Sequence, residues 1–464
     1  MKTLRSQIIG GVLLVLALAI LLMPTPEGVD PKMMRAGAVV LLAIGCWATM
    51  ILPEHLVALG FFLLAMLLGI GDSAVVFSGF TSPAFWLVFG GLIIGAAVDR
   101  TGLGLRIASG LVGRFVGSYF TTIAGVVIVC LALGFLIPST MGRLVLLLPI
   151  VTALAAKIGF GPNSRGRTGM VIATGFGSYL GPIAILPANV PNNVLLGAAE
   201  TFHDVNIRYM DWLVTHFPVL GLLKSVLVVC VVWYLFRDTP GDDLSEEGEA
   251  RSIPSYWSKD ETRLGFLMAA ALFFWATDFL HGTSPAWVSL AVGLICLMPF
   301  VGLVPPESFR DKVPKNPLIY VAGILGVGAI VADSGLGSAL ADWVLGMVPL
   351  DPSTPALSYF TLAGLSTLLG MVATMPGVPA IMTPIAGDIA QASGLPLETV
   401  MMTFVIGFST VVAPYQVPPL IVLLQLGGIP ASAAVKTALV TAALTLVFLV
   451  PLNYLWWVAI GLMP

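Results

Sequence analysis

An arginine stands in a small polar knot between two apolar runs, in Pro138-Ser-Thr-Met-Gly-Arg143-Leu-Val-Leu-Leu-Leu-Pro-Ile150. The planar guanidinium fork matches the oxygens of a carboxylate, sulfonate or phosphate. At a bilayer centre an arginine is unfavourable by ~2.5–3.5 kcal/mol on insertion scales, so it is expected to face a cavity or a partner. The design recurs in Ala373-Thr-Met-Pro-Gly-Val-Pro-Ala-Ile-Met-Thr-Pro-Ile385, with Gly377 in register with Gly142. Each knot reads as the tip of a helical hairpin, with a small anion held between the two tips. Two further polar interruptions, Leu186-Pro-Ala-Asn-Val-Pro-Asn-Asn193 and Ala413-Pro-Tyr-Gln-Val-Pro-Pro419, read as breaks within membrane helices. There Asn189, Asn192, Asn193 and Gln416 supply uncharged donors and acceptors, Asn189 and Gln416 at equivalent places.

Each interruption should start a fresh half-helix. Ser139 or Thr140 can cap one, Pro191 and Pro418 suit the first helical position of two others, and Thr374 to Gly377 precede the fourth. Four helix N-termini aimed at one point would gather unpaired N–H groups and partial positive charge there. The expected ligand is therefore an anion.

The elements that position these residues follow from composition. With 58% hydrophobic and 10% charged residues, this 464-residue chain cannot cover a water-soluble globule with polar surface. Apolar runs of helix-spanning length recur throughout, and the short alternating segments of a barrel are missing, so the chain is expected to cross the bilayer as helices. Cys46, Cys130, Cys230 and Cys296 lie singly in apolar runs and read as packing residues, without disulfide or metal spacing. The histidines at 55, 203, 216 and 281 form no ligand pair and read as interfacial. Lys224 is expected to snorkel or to neutralise a neighbour, and Glu54, Asp99, Asp278, Asp333 and Asp388 to lie near span ends. No cofactor, nucleophile–base arrangement or nucleic-acid partner is expected, and the chain reads as a non-enzyme.

Taken in order, residues 1–35 read as a retained N-terminal anchor, because no small-x-small cleavage site follows the apolar stretch. Residues 36–236 form a first repeat with a hairpin at 119–157 and a broken helix at 168–200. A cytoplasmic linker occupies 237–262. Residues 263–464 form a second repeat with a hairpin at 356–392 and a broken helix at 397–427. The segment Asp99 to Arg106, with Arg114 beyond it, reads as basic and interfacial. Gly95-Ala-Ala-Val-Asp-Arg-Thr-Gly-Leu-Gly104 is echoed by Gly328-Ala-Ile-Val-Ala-Asp-Ser-Gly-Leu-Gly337, ahead of hairpin and break in the same order. An odd number of crossings separates the copies, so the second is inverted, an architecture of transporters with a midplane site. The fold class is thus an all-α polytopic inverted-repeat transporter of about 11 transmembrane helices, two re-entrant hairpins and two broken helices. The distribution of its 21 basic residues places the N-terminus in the cytoplasm and the C-terminus outside.

At these motifs, and at Ser78-Gly-Phe-Thr-Ser-Pro-Ala-Phe-Trp-Leu-Val-Phe-Gly-Gly91, the chain resembles the divalent anion sodium symporter family of the ion transporter superfamily. The resemblance implies a homodimer in the inner membrane, each protomer pairing a scaffold with a mobile transport domain that moves by an elevator motion. It also implies dicarboxylates, citrate or sulfate as substrates, usually carried with sodium ions. The family's Ser-Asn-Thr tip signature falls on Ser139-Thr140-Met141 and Thr374-Met375-Pro376, and its Pro-Pro-Asn break signature on Val190-Pro191-Asn192 and Pro418-Pro419-Leu420. Neither tip is intact, and Met375 removes an oxygen. Carried over on these positions and on the residues above, the substrate-binding set is Ser139, Thr140, Met141, Arg143, Asn189, Asn192, Asn193, Thr374, Met375, Gly377, Gln416 and Pro418. Ser139, Thr140 and Thr374 are the places for sodium ligands. Arg143 would take over part of the charge compensation that sodium provides in relatives. The expected function is a secondary active carrier of a small anion, a dicarboxylate or similar, coupled to a cation such as Na+. A sodium-independent exchanger or facilitator of the same fold is the alternative, and an anion channel the rival of another class.

Overall fold

A computed structural model describes residues 2–26, 28–112, 115, 117–239, 256–346, 348 and 350–463. Among the described residues the chain is helical, with no strand. Arg114 and most of the 237–262 linker lie outside them.

Helices α1 (Lys2–Leu22), α2 (Pro31–Thr49) and α3 (Glu54–Leu67) lead through short turns α4 (Ser73–Val76) and α5 (Ser78–Thr81) into α6 (Pro83–Thr101) and α7 (Leu103–Val112). Asp30 and Ser82 cap α2 and α6 by accepting from first-turn N–H groups, and a proline opens each helix, where its missing N–H is harmless. The hairpin follows as α8 (Tyr119–Gly134) and α9 (Thr140–Lys157), then the broken pair α10 (Arg165–Tyr179) and α11 (Val190–His203). Helices α12 (Tyr209–His216) and α13 (Lys224–Phe236) are joined by a wider π-helical turn at Phe217–Leu223.

Beyond the linker come α14 (Lys259–Ala276), α15 (Asp278–His281), α16 (Pro285–Leu297) and α17 (Pro306–Lys312). Helices α18 (Asn316–Asp333) and α19 (Leu336–Leu345) then match α6 and α7 in order and length. The second hairpin is α20 (Pro355–Val372), α21 (Gly377–Met382) and α22 (Ala386–Ser393), and the second broken pair is α23 (Leu397–Ser409) and α24 (Pro418–Gly427). Helices α25 (Ala431–Leu444) and α26 (Val450–Ala459) close the chain, again around a π-helical turn, at Thr445–Leu449. Among the described residues, seven helices, with α12–α13 and α25–α26 each taken as one, are long and apolar enough to cross a membrane.

Two details depart from the sequence reading. The basic interfacial segment is in part a helix, α7, and α19 is its counterpart. The returning limb of the second hairpin is split, although both limbs carry a Pro-Ile pair. Pro149 stays inside α9, whereas the chain leaves the helix around Pro384. There the Thr383 carbonyl, which accepts from Ala386 N–H at 3.0 Å, also meets His203 Nε2 at 2.6 Å.

Close helix contact organises the half of the molecule that faces the hairpins. A Cβ on Gly90 of α6 would lie 2.5 Å from the Ser289 backbone of α16, and Gly293 sits against Gly90. Such small-residue crossings let backbones approach where lipid gives no hydrophobic drive to association. One apolar core joins α2, α3 and α18 with residues of α6 and α11, and a larger one surrounds the hairpins and broken helices.

Candidate functional site

The hairpin tips and the breaks line one cavity of about 560 Å³, closed on the opposite side by α6 and by Tyr320 of α18. Ser139 caps α9 by accepting from Gly142 N–H at 3.1 Å. The N–H groups of Thr140 and Met141, ahead of the helical bonding pattern, have no acceptor among the described residues. At the N-terminus of α11, Val190 and Asn192 N–H are likewise free, while Asn193 N–H returns to Asn189 O. Asn193 is 2% exposed, lines the cavity and has a carboxamide oxygen without a hydrogen-bond partner.

The other two helix starts differ from expectation. Helix α24 begins Pro418-Pro419, neither of which has an N–H, and Leu420 N–H is bonded to Val417 O. At the second tip Met375 N–H donates to Gln416 O and Gly377 N–H to Thr374 O, and α21 has no side-chain cap. Only α9 and α11 therefore offer a first turn with open donors. The expectation of four converging N-termini is corrected to two, because proline and internal bonding consume the others.

Arg143 does not line the cavity but sits behind it, with no exposure. Its Nη1 donates to Ile137 O at 2.5 Å and Ala188 O at 3.1 Å. Its Nη2 donates to Ser178 O at 2.7 Å, Asn189 Oδ1 at 2.8 Å and Thr140 Oγ1 at 3.3 Å. All five acceptors are uncharged oxygens, drawn from the hairpin tip and from both sides of the break. Thr140 Oγ1 also donates to Asn189 Oδ1 at 2.6 Å, and Asn189 Nδ2 to Tyr179 O at 3.1 Å. The guanidinium occupies this cage of oxygens, Thr140 Oγ1 among them, whereas Ser139 Oγ lies outside it and accepts from Gly142 N–H.

In the second half an amide takes the equivalent place. Gln416 Oε1 accepts from Val412 and Ala413 N–H, both at 2.7 Å, and Nε2 donates to Gly370 O at 2.5 Å. Asn189 and Gln416, paired in the sequence reading, thus both tie a break to its own hairpin. Lys224 neither snorkels nor meets an acid. It is 1% exposed, and Nζ donates to Ser409 O at 2.6 Å and Ser409 Oγ at 3.1 Å. Arg143 and Lys224 each bind a carbonyl in the last turn of the first half of a broken helix, Ser178 or Ser409, where the partial charge is negative.

Of the nominated residues, Ser139, Thr140, Met141, Asn193, Met375, Gln416 and Pro418 line the cavity. Asn189 lies behind it with Arg143, and Asn192 turns away to donate to Ile183 O and Ile185 O, both at 2.9 Å. Thr374 and Gly377 face a small separate cleft with Trp47 and Ile324. His216 is not interfacial: it is fully buried between Trp212 and Trp457, with Nε2 3.3 Å from Met402 Sδ. Glu54 and Asp99 line the cavity mouth with Lys312, which lies 3.5 Å from Asp99.

The sequence reading missed Tyr320, whose hydroxyl is buried without a partner, and Tyr179, whose hydroxyl donates to Phe408 O at 2.9 Å and joins the two broken helices. Tyr320 had a signal, being the sole polar side chain between Asn316 and Asp333. A buried tyrosine hydroxyl normally finds a partner, so one in an otherwise apolar helix points to a ligand or a second element.

The chain is 25% identical over 411 residues to a membrane protein of Cupriavidus necator, covering 84% of this chain and 80% of that one. It is 24% identical over 402 residues to an L-tartrate/succinate antiporter of Escherichia coli K12, covering 82% and 79%. The crystal structure of the Alcanivorax borkumensis YdaH transporter superposes with a TM-score of 0.53 at 14% identity, covering 94% of this chain and 100% of that one, a likeness of fold. The model of the sodium:sulfate symporter transmembrane region matches residues 6–463, and the chain therefore belongs to this family of membrane anion transporters, the divalent anion sodium symporters.

Proposed function

We propose that the protein exchanges small anions across the cytoplasmic membrane without sodium. The observation that carries this reading is the Arg143 guanidinium, bonded to five uncharged oxygens where the first hairpin meets its break. A permanent cation there supplies the positive potential that a coupling ion would otherwise bring. A carrier that cannot release its cation gains nothing from an ion gradient and moves anion against anion. The antiport activity named for the Escherichia coli relative supports the same reading.

In this reading the hairpins, the broken helices and α12–α13 form a transport body that slides as an elevator against α2, α3, α6, α16 and α18. The second repeat, 263–464, is the inverted copy of 36–236. Under the positive-inside topology the Asp99–Lys312 end is cytoplasmic, so the cavity opens inward. Two copies associate through their scaffolds, as in the family. The chain performs no chemical conversion. It moves an anion whose charge meets the open N–H groups of α9 and α11.

Counterflow in proteoliposomes tests the proposal. Uptake of labelled succinate, tartrate or a monocarboxylate should require an internal anion and proceed at the same rate in sodium or choline. Uptake that needs an inward sodium gradient overturns it. Arg143→Ser, which empties the oxygen cage, should make thermal stability respond to sodium where the wild type does not.

A further inference from the structure

The two halves of the cavity are chemically unlike, and we propose that the ligand is an organic anion with one charged end and an apolar body. The proposal rests on the reading that this cavity is the transport site. The charged end belongs at α9 and α11, where Thr140, Met141 and Val190 N–H have no acceptor among the described residues and where the Asn193 carboxamide, 2% exposed, makes no hydrogen bond and has an Nδ2–H free to donate. Across from it the one unsatisfied polar group in the lining is the Tyr320 hydroxyl. The opposite lining is Met375, Pro376, Val417, Pro418 and Pro419.

Three of those residues have no N–H, and Met375 and Val417 N–H are bonded within the chain. The Gln416 carboxamide spends its oxygen on two backbone N–H groups and donates its nitrogen to Gly370 O. A second carboxylate placed on this side would lose water and gain at most the single Tyr320 hydroxyl as donor, which is unfavourable for a full charge. The charged groups at the mouth add to the asymmetry: Glu54 and Asp99 are acidic, and Lys312 is already beside Asp99. Val88, Leu92 and Ala96 of α6 extend the apolar wall. A cavity of about 560 Å³ is of the size that takes organic ligands larger than a four-carbon diacid.

The test measures thermal shifts and counterflow with the full chain for acetate, butyrate and hexanoate beside succinate, L-tartrate and sulfate. Affinity should rise with monocarboxylate length, up to about fourfold per buried methylene, and hexanoate should bind at least tenfold more tightly than succinate. Asn193→Ala should weaken hexanoate binding about tenfold, whereas a hexanoate shift unchanged by this substitution is partition into detergent and counts against the proposal. Met375→Asn, which restores a donor to the apolar side, should narrow the gap between hexanoate and succinate. Succinate, tartrate or sulfate binding as tightly as hexanoate overturns the proposal and leaves the anion carrier standing. If no anion of the panel binds or exchanges, the transport-site reading falls and the proposal with it.

Discussion

Arg143 acts through backbone rather than on the ligand. Removing its side chain takes that donor from the buried carbonyls of Ser178 and Ala188, each orphan costing about 1–3 kcal/mol, while Ile137 O keeps its bond from Ser139 N–H. Arg143→Ala should therefore lower the apparent Tm by several degrees and uncouple the hairpin tip from the break. Arg143→Lys retains the charge but cannot reach five oxygens with a point-like ammonium, so it should recover only part of the stability. Differential scanning fluorimetry in detergent separates the three proteins. Asn193→Ala removes a polar group that the chain itself does not use, so it should leave the Tm within about a degree and weaken anion binding roughly tenfold. Titration of the anion against intrinsic fluorescence reads that ratio. A large loss of stability in this variant would show that Asn193 is structural.

At the scale of elements, the breaks are fastened from both sides, which is what allows non-helical backbone at membrane depth. Each hairpin tip is tied to its own break, by Arg143 and Asn189 in one half and by Gln416 in the other. Each tip and break should therefore move as one piece. Helix α6 plays the opposite part. Its Gly90 lets α16 approach so closely that Gly90→Val must push the two helices apart, since the blocking atoms are backbone. The expected outcome is a loss of about 1–3 kcal/mol from overpacking and a weakened scaffold. Its effect on counterflow should follow the loss of folded protein, with affinity per folded molecule unchanged, as a ligand titration of the surviving fraction would show.

The molecule as a whole places a polar seam between two apolar bodies, open at the Glu54, Asp99 and Lys312 end. If the transport body slides, residues at the first tip must exchange sides. Met141→Cys, in a variant whose native cysteines are replaced, should react with a membrane-impermeant thiol reagent from the cytoplasmic side of inside-out vesicles and from the outside of right-side-out vesicles, at rates that anion shifts in opposite directions. Labelling from one side alone, whatever the ligand, would argue against alternating exposure.

The sequence by itself determined the solvent, the order of the elements and most of their bounds. Apolar length and polar interruption are local properties, so the helical stretches on either side of residues 135–139 and 410–417 could be read from residue type alone. It also paired Asn189 with Gln416, because two copies of one pattern carry their own register. What only the tertiary structure decided was where each polar group points. Arg143 and Asn192 look in sequence like ligands of an anion, but carbonyls drawn from residues up to 45 positions away claim them. Tyr320 looks like packing and is left unpaired. Burial and hydrogen-bond satisfaction depend on partners brought from distant segments, and a run of residues does not carry its partners with it.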